Sequence, residues 1–343
     1  MASPRLAFSA LLALISLIGL LAAPPMAVAQ GGTGLSFPLE SFSLLVENDS
    51  ISGTDRHYTN GLKVSILLKK DRLERFSGWL ARTLPLFPDG GDRRIGFALG
   101  QNIYTPGDIS VATLQTGDRP YAGWLYGELG LTAQTADRLD SVALSLGVIG
   151  PASQADDVQK TWHRMFNITR PRGWQHQLNN EPALNITYEH ARRFAWPRTP
   201  AFGLDTDFTP HVGLSLGNVF TYAAAGLMTR LGEDFAGDFG GPPRIRPSLP
   251  GAAHFQPPAG GFGWYLFAGI EGRAVARNIF LDGNTFTDSH SVNKKILVGD
   301  AQLGLALIFR RFRITYTQVL RTIEFDGQAT PHHFGAISVT ANF

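Results

Sequence analysis

Large apolar residues recur at every second position along most of the chain. Leu62-Lys63-Val64-Ser65-Ile66, Ile95-Gly96-Phe97-Ala98-Leu99, Val142-Ala143-Leu144-Ser145-Leu146, Val212-Gly213-Leu214-Ser215-Leu216 and Leu303-Gly304-Leu305-Ala306-Leu307 each set them against Gly, Ala, Ser or a polar residue. A period of two is that of a β-strand with unlike faces. The pattern predicts twelve strands, at about 39–48, 57–69, 93–104, 120–132, 139–149, 182–194, 207–217, 219–230, 261–275, 294–309, 312–324 and 333–343. The eighth, with Thr221-Tyr222-Ala223-Ala224-Ala225-Gly226, is also compatible with a helix. Alternation runs to the last residue: Ile337, Val339, Ala341 and Phe343 share one face, and Ser338, Thr340 and Asn342 the other.

An even number of amphipathic segments of this length, closed so that no strand edge is left, is the pattern of a bacterial outer-membrane barrel. The fold class expected is therefore all-β, a twelve-stranded antiparallel transmembrane β-barrel. The soluble alternative is a periplasmic β-sandwich, whose outer faces would be rich in Lys, Glu and Thr. Here charge concentrates in the connections, which favours the barrel.

The N-terminus reads as an address. Arg5 supplies a positive start, Leu6–Ala23 is apolar apart from Ser9 and Ser16, and Ala27-Val28-Ala29 offers a small-x-small cleavage pattern. Residues 1–29 are expected to be a secretory signal peptide and 30–343 the barrel domain. No apolar run of ~18 residues follows, so no further membrane-spanning helix is expected.

Composition narrows the chemistry. The 343 residues include no cysteine, which removes disulfides, thiolate metal sites and a cysteine nucleophile. Lys+Arg number 30 against 28 Asp+Glu, a net +2, without the basic excess that nucleic acid demands. Charged residues are 17% of the chain, below the usual ~25%.

With both termini periplasmic, connections after odd strands face outside: about 49–56, 105–119, 150–181, 218, 276–293 and 325–332. Most of the unusual local sequence falls there. Glu47-Asn48-Asp49 ends the first strand with three oxygen-bearing side chains, a donor set that suits a hard cation such as Ca²⁺; a solvated strand end is the plain reading. Asp118-Arg119-Pro120-Tyr121-Ala122-Gly123-Trp124 carries an arginine fork able to hold phosphate or carboxylate. Its aromatics, with Tyr126, suit an interfacial girdle. In the longest loop, Ser153 is a candidate N-cap with Asp156 three residues on. The uninterrupted run that follows predicts a short helix. Gln159 and His163 lie at i and i+4 on one face with Asp156, and Trp162 and Phe166 form a second such pair, able to pack on the barrel wall. A surface histidine and a strand-start charge are the plain readings of His163 and Glu181. Ser50, Ser52 and Ser153 are external, but no Gly-x-Ser-x-Gly turn occurs. The even connections include a Pro/Gly-rich stretch from Gly240-Gly241-Pro242-Pro243 to Pro257-Pro258, which reads as an irregular turn.

These runs, taken in order, resemble the outer-membrane lipid A deacylase family (LpxR-like proteins), which removes the 3′-O-linked acyloxyacyl group of lipid A. The matching residues are Glu47-Asn48-Asp49, Tyr58-Thr59-Asn60-Gly61, Asp118 to Trp124, Gly150-Pro151, Gln159 with His163, Gly173-Trp174 with Gln177-Leu178 and Glu181-Pro182, and Phe280-Leu281-Asp282-Gly283-Asn284. The resemblance implies a twelve-stranded barrel whose site lies between the wall and a helix of an external loop. It implies His163 as the general base that activates water, Gln159 as its neighbour, Asn48 and Asp49 at the rim with Asp49 holding Ca²⁺, and Thr59 as a hydroxyl residue of the second strand. Glu181 would be a site carboxylate, and Arg119, with Arg164, would orient the phosphates of lipid A. An imidazole, with an ordinary pKa near ~6.5, accepts a proton from water at neutral pH. The partner expected is lipid A or lipopolysaccharide in the outer leaflet. The rival readings are an inactive barrel serving as channel or scaffold, and an esterase or phospholipase of other specificity.

Overall fold

The computed structural model describes residues 39–52, 57–69, 74–83, 87, 91–196, 203–239, 241–247 and 252–343. The expected signal peptide lies outside the described residues. The strands are β1 (Leu39–Asn48), β2 (His57–Leu68), β3 (Asp92–Thr105), β4 (Ala122–Gln134), β5 (Arg138–Ile149), β6 (Glu181–Arg192), β7 (Phe194–Trp196), β8 (Asp205–Gly217), β9 (Phe220–Glu233), β10 (Phe262–Asn278), β11 (Leu297–Phe309), β12 (Phe312–Arg321) and β13 (His332–Asn342). Each strand pairs with its chain neighbour, except that β6 and β7 both pair with β8, and β1 closes the sheet on β13 through Ser41↔Asn342 to Asn48↔Gly335. β6 and β7 are one stave interrupted at Arg193, whose guanidinium donates to the carbonyls of Ala136, Ala236 and Asp238. The result is a closed antiparallel barrel of twelve staves. The ambiguous eighth segment is strand β9. Among the described residues three short helices lie off the wall: α1 (Glu74–Thr83), α2 (Ala155–Met165) and α3 (Ile279–Asp282). No helix among the described residues is long and apolar enough to cross a membrane.

The two faces of the sheet are inverted relative to a soluble protein. Leu99, Leu216, Ile270 and Leu303 point outward with 61–63% of their surface exposed. Lipid covers such a face, and an Arg or Lys there would cost roughly 2–4 kcal/mol at the midplane. The lumen takes the charges, which the sequence pattern had placed mainly in the connections. An ion-pair ladder descends it: Arg119–Glu324 at 3.0 Å, Glu324–Arg321 at 3.7 Å, Arg321–Asp300 at 2.8 Å, Asp300–Arg273 at 2.9 Å, Arg273–Glu271 at 2.6 Å and Glu271–His211 at 3.1 Å. Buried charges persist only when paired and hydrogen-bonded, and here each carboxylate meets a guanidinium or imidazole.

Two fillings occupy the lumen. Toward the outer end, Tyr58, Tyr104, Trp124, Tyr126, Phe220, Tyr222 and Phe334 pack around Ile279 and Phe280 of α3. Phe280 stacks on Tyr104 with ring centroids 3.8 Å apart, and Trp124 on Tyr126 at 4.1 Å. Trp124 and Tyr126 therefore do not form an interfacial girdle: the alternation of β4 aims even-numbered side chains inward, onto α3. Toward the periplasm, the β9–β10 connection enters the barrel. Asp238 pairs with Arg313 at 2.5 Å, Arg246 with Glu189 at 2.7 Å and Arg244 with Glu47 at 2.6 Å. The connection is thus a plug whose charged side chains Asp238, Arg246 and Arg244 reach three different staves, β12, β6 and β1. A cavity of about 130 Å³ lies between the plug and the staves β1 to β5, lined by Lys63, Arg94, Glu128 and His254 among others.

Candidate active site

Helix α2 sits outside the barrel, against the outer ends of β3 and β4. Its N-terminus comes close because residue 123 has no side chain: a Cβ on Gly123 would stand 2.1 Å from Ser153 Oγ and 2.3 Å from Ala155 Cβ. Ile103, Tyr121, Ala155 and Trp174 form the apolar seam. Gln101 Nε2 donates to the Ser153 carbonyl at 2.7 Å and fastens the same end. Ser153 is not the N-cap. It lies in a 3-10 turn, Pro151–Ser153, where its hydroxyl donates to the Gly150 carbonyl at 2.6 Å; Gln154, left-handed with φ 59, precedes the helix. The turn competes for the hydroxyl and wins because Gly150, at φ 89, folds its carbonyl back.

The buried face of α2 is Ala155, Gln159 and His163. Asp156 does not join it: Asp156 is half-buried and pairs with Lys160. Trp162 leaves the wall as well. It is 44% exposed and tilts against Phe166 with centroids 4.5 Å apart. Val158, Trp162 and Met165 make an exposed apolar stripe on the helix face away from the wall, with Arg164 exposed beside it.

His163 and Gln159 are both oriented from the loop behind them. His163 Nδ1 lies 2.5 Å from the Thr169 carbonyl oxygen. A carbonyl only accepts, so Nδ1 carries the proton and the lone pair is on Nε2. The loop is held there because the Ile168 amide donates to the His163 carbonyl at 2.9 Å. Gln159 Oε1 accepts from Trp174 Nε1 at 2.8 Å. That fixes the amide flip, and Gln159 Nε2, buried, has no hydrogen-bond partner among the described residues. An imidazole with a defined basic nitrogen thus lies one turn from a pair of unused donors. Thr169 and Trp174 were not assigned roles from sequence. Trp174 was visible in the Gly-Trp run, but a backbone carbonyl leaves no sequence signal.

The other candidates divide. Asn48 ends β1 opposite Asn60 of β2, and its Oδ1 accepts from the Ser50 amide at 2.7 Å. Asp49, fully buried, opens the 3-10 turn Asp49–Ser52. Thr59 sits at a bulge in β2, and its hydroxyl meets that of Thr105 on β3 at 2.7 Å. Thr105 shares its face of β3 with Gln101 and Ile103, the residues beneath α2. Staves β1 to β4 are consecutive in the wall, so Asn48, Thr59 and the α2 seam occupy neighbouring staves at the outer rim. Arg119 and Glu181 are committed elsewhere. Arg119 is 1% exposed, bound to Glu324 and set over the rings of Tyr104 and Phe325 at the lumen mouth. Glu181 accepts from Asn218 Nδ2, Asn284 Nδ2 and the Thr285 amide at 2.7–3.1 Å, tying three external connections together. Burial pushes the Glu324 carboxyl up, but the Arg119 and Arg321 guanidiniums outweigh it and hold it below the usual carboxylate range.

No group of three or more His, Cys, Asp or Glu suited to a metal occurs among the described residues. The Asn48–Asp49 donors are all oxygen, which fits Ca²⁺ in kind. Its remaining ligands would have to be carbonyl, water or substrate oxygens.

A comparison with protein families decides the lineage. Residues 11–343 match the model of the outer membrane protein LpxR. The chain belongs to the LpxR family. Among solved structures, LpxR from Salmonella typhimurium superposes with a TM-score of 0.70 at 21% identity, over 88% of this chain and all of that one. The β-domain of the Bordetella autotransporter BrkA aligns at a TM-score of 0.44 and 10% identity, over 90% of this chain and 100% of its own. No curated protein matches the chain. This LpxR-family protein is an outer-membrane barrel, as the alternation predicted.

Proposed function

We propose that the protein hydrolyses an ester of lipid A in the outer leaflet, releasing the 3′-O-linked acyloxyacyl group. His163 Nε2 takes a proton from water as that water attacks the ester carbonyl, and the Thr169 carbonyl steadies the imidazolium through Nδ1. The tetrahedral oxyanion takes hydrogen bonds from Gln159 Nε2, whose other end Trp174 holds. Collapse returns the proton from His163 to the departing sugar oxygen. Asp49, with Asn48, would hold Ca²⁺, which supplies Lewis-acid stabilisation of negative charge when bound. Arg164, exposed on α2, is the cation suited to a lipid A phosphate, since Arg119 is spent on Glu324.

The observation that carries this reading is the buried His163–Gln159 pair, each side chain oriented by a fixed partner, on a helix pinned to the lipid side of the rim. A lumen packed with aromatics and ion pairs favours it over a channel. The deciding experiment is mass spectrometry of lipid A from an outer-membrane host expressing the chain or its His163→Ala variant. Wild type should remove the acyloxyacyl mass and the variant should not. An unchanged spectrum from a folded wild type would reject the activity and leave a scaffold barrel.

A further inference from the structure

The β9–β10 connection spans residues 234–261, where two other periplasmic connections are tight turns. β4 and β5 are joined by residues 135–137 and β11 and β12 by residues 310–311. The long connection anchors near the barrel base, where Arg313 donates to Asp238 Oδ1 and to the Ala252 carbonyl. Its tip then lies against the inner side of the wall next to the rim. Glu47 Oε1 accepts from Arg244 Nε at 2.6 Å and from the Ile245 amide at 3.1 Å. Arg244 Nη1 donates to Gln302 Oε1 of β11 at 3.0 Å, and its guanidinium lies 5.6 Å from the Phe334 ring of β13. Ile245 packs with Leu45 and Ala336. Directly across from Glu47, Gly61 makes room for the tip: a Cβ there would stand 2.6 Å from Ile245 Cδ1.

We propose that Arg244 is a positioning residue: the periplasmic connection crosses the lumen as a strut and, through Glu47, fixes the outer end of β1 so that Asn48 and Asp49 are held at the rim. The proposal rests on the reading above that these two residues serve the hydrolytic site. The mechanics are those of a strand. Neighbouring side chains emerge on opposite faces, so a clamp on Glu47 from inside sets the backbone that carries Asn48. The clamp is stiff because Glu47 and Arg244 are 1% and 5% exposed and charge-paired, and loss of either would strand the other in the wall. It gives the Tyr-Thr-Asn-Gly run and the Pro/Gly-rich stretch, far apart in sequence, one shared purpose.

The test uses the full-length barrel in detergent or lipid nanodiscs, with hydrogen–deuterium exchange as the readout that needs no activity. In Arg244→Ala the amides of residues 47–52 should exchange about tenfold faster while those of α2 are unchanged. Its kcat on lipid A should fall about tenfold with KM within about twofold, and Arg244→Lys should recover most of the loss. Arg246→Ala, which breaks the strut's pair with Glu189 on β6, should leave exchange at 47–52 as in wild type. Unchanged exchange at 47–52 in Arg244→Ala overturns the proposal, as does an equal rise in Arg246→Ala. If Arg244→Ala fails to assemble, Glu47→Gln, which keeps an acceptor for the Ile245 amide, should show the same local rise at about threefold, and its absence is equally fatal. A wild type inactive on lipid A would sink the proposed function alone, since the exchange comparison still decides the strut.

Discussion

At the scale of single residues, the candidate site is built from partners that orient His163 and Gln159. Thr169 gives His163 its tautomer with one carbonyl, and Trp174 gives Gln159 its flip with one indole N–H. Removing the proposed base, His163→Ala, should lower kcat by about 10²–10⁴. Gln159→Ala should cost about 10²–10³ if its amide donates to the oxyanion; a loss confined to KM would reassign it to substrate binding. Trp174→Phe keeps an aromatic ring in the seam but deletes the N–H with part of the indole, and a smaller fall in kcat, about tenfold, is expected from steady-state rates. For the metal, a chelator should abolish turnover and excess Ca²⁺ restore it. Asp49→Asn should raise the Ca²⁺ concentration needed for half-maximal rate, and an unaltered requirement would remove Asp49 from the ligand set.

At the scale of elements, one helix and one missing side chain position the candidate site. The N-terminus of α2 lies so near β4 that any side chain at 123 would collide with Ser153 and Ala155. Gly123→Val should therefore lift the start of α2, abolishing activity in a barrel that still shows the heat-modifiable mobility of a folded outer-membrane protein on gels. Normal activity in that variant would mean the helix position is unimportant. The stripe Val158, Trp162 and Met165 is exposed on α2, the helix that lies against β3 and β4, where Leu99 of β3 is exposed to lipid. An amphipathic helix so placed lies in the interface between headgroups and acyl chains. The sequence predicted this helix but sent Trp162 and Phe166 to the wall. Periodicity cannot say which of two stripes faces protein when lipid is the alternative solvent.

At the scale of the whole molecule, the lumen combines an aromatic cluster with a ladder of paired charges. Asp300 lies between Arg273 and Arg321, so Asp300→Ala would leave two buried cations short of a partner and should cost roughly 3–5 kcal/mol in urea unfolding. The outer end of the ladder carries a pH dependence. Glu324 has its pKa lowered in the folded barrel, by Arg119 and Arg321 against the effect of burial. Its contribution is fully present above the unfolded carboxylate value of about 4.3 and is lost as pH falls through the folded value. Thermal unfolding in micelles should be insensitive to Glu324 titration near neutrality and weaken below about pH 4. Glu324→Gln should be less stable at pH 7 and show a shallower loss on acidification. A parallel acid profile in the two proteins would show that other groups govern it.

The sequence by itself determined the strands, their number, the closed barrel and the helix bearing Gln159 and His163. These rest on local periods, two for a stave between lipid and lumen and 3.6 for a helix, which each segment carries without reference to the others. The charges of the lumen, such as Asp300 and Arg321, escape a reading that looks for charge in the connections, because their partners lie on other staves and meet them only in the assembled barrel. Arg119 and Glu181 show the same limit: both are the right residue types beside the right motifs, and tertiary structure turned one into the lumen mouth and the other into a loop tie. The Pro/Gly-rich connection shows it most fully. Its composition forbids regular structure and so reads as a turn, whereas its place inside the barrel follows from Asp238, Arg244 and Arg246 finding opposite charges on staves from both halves of the chain.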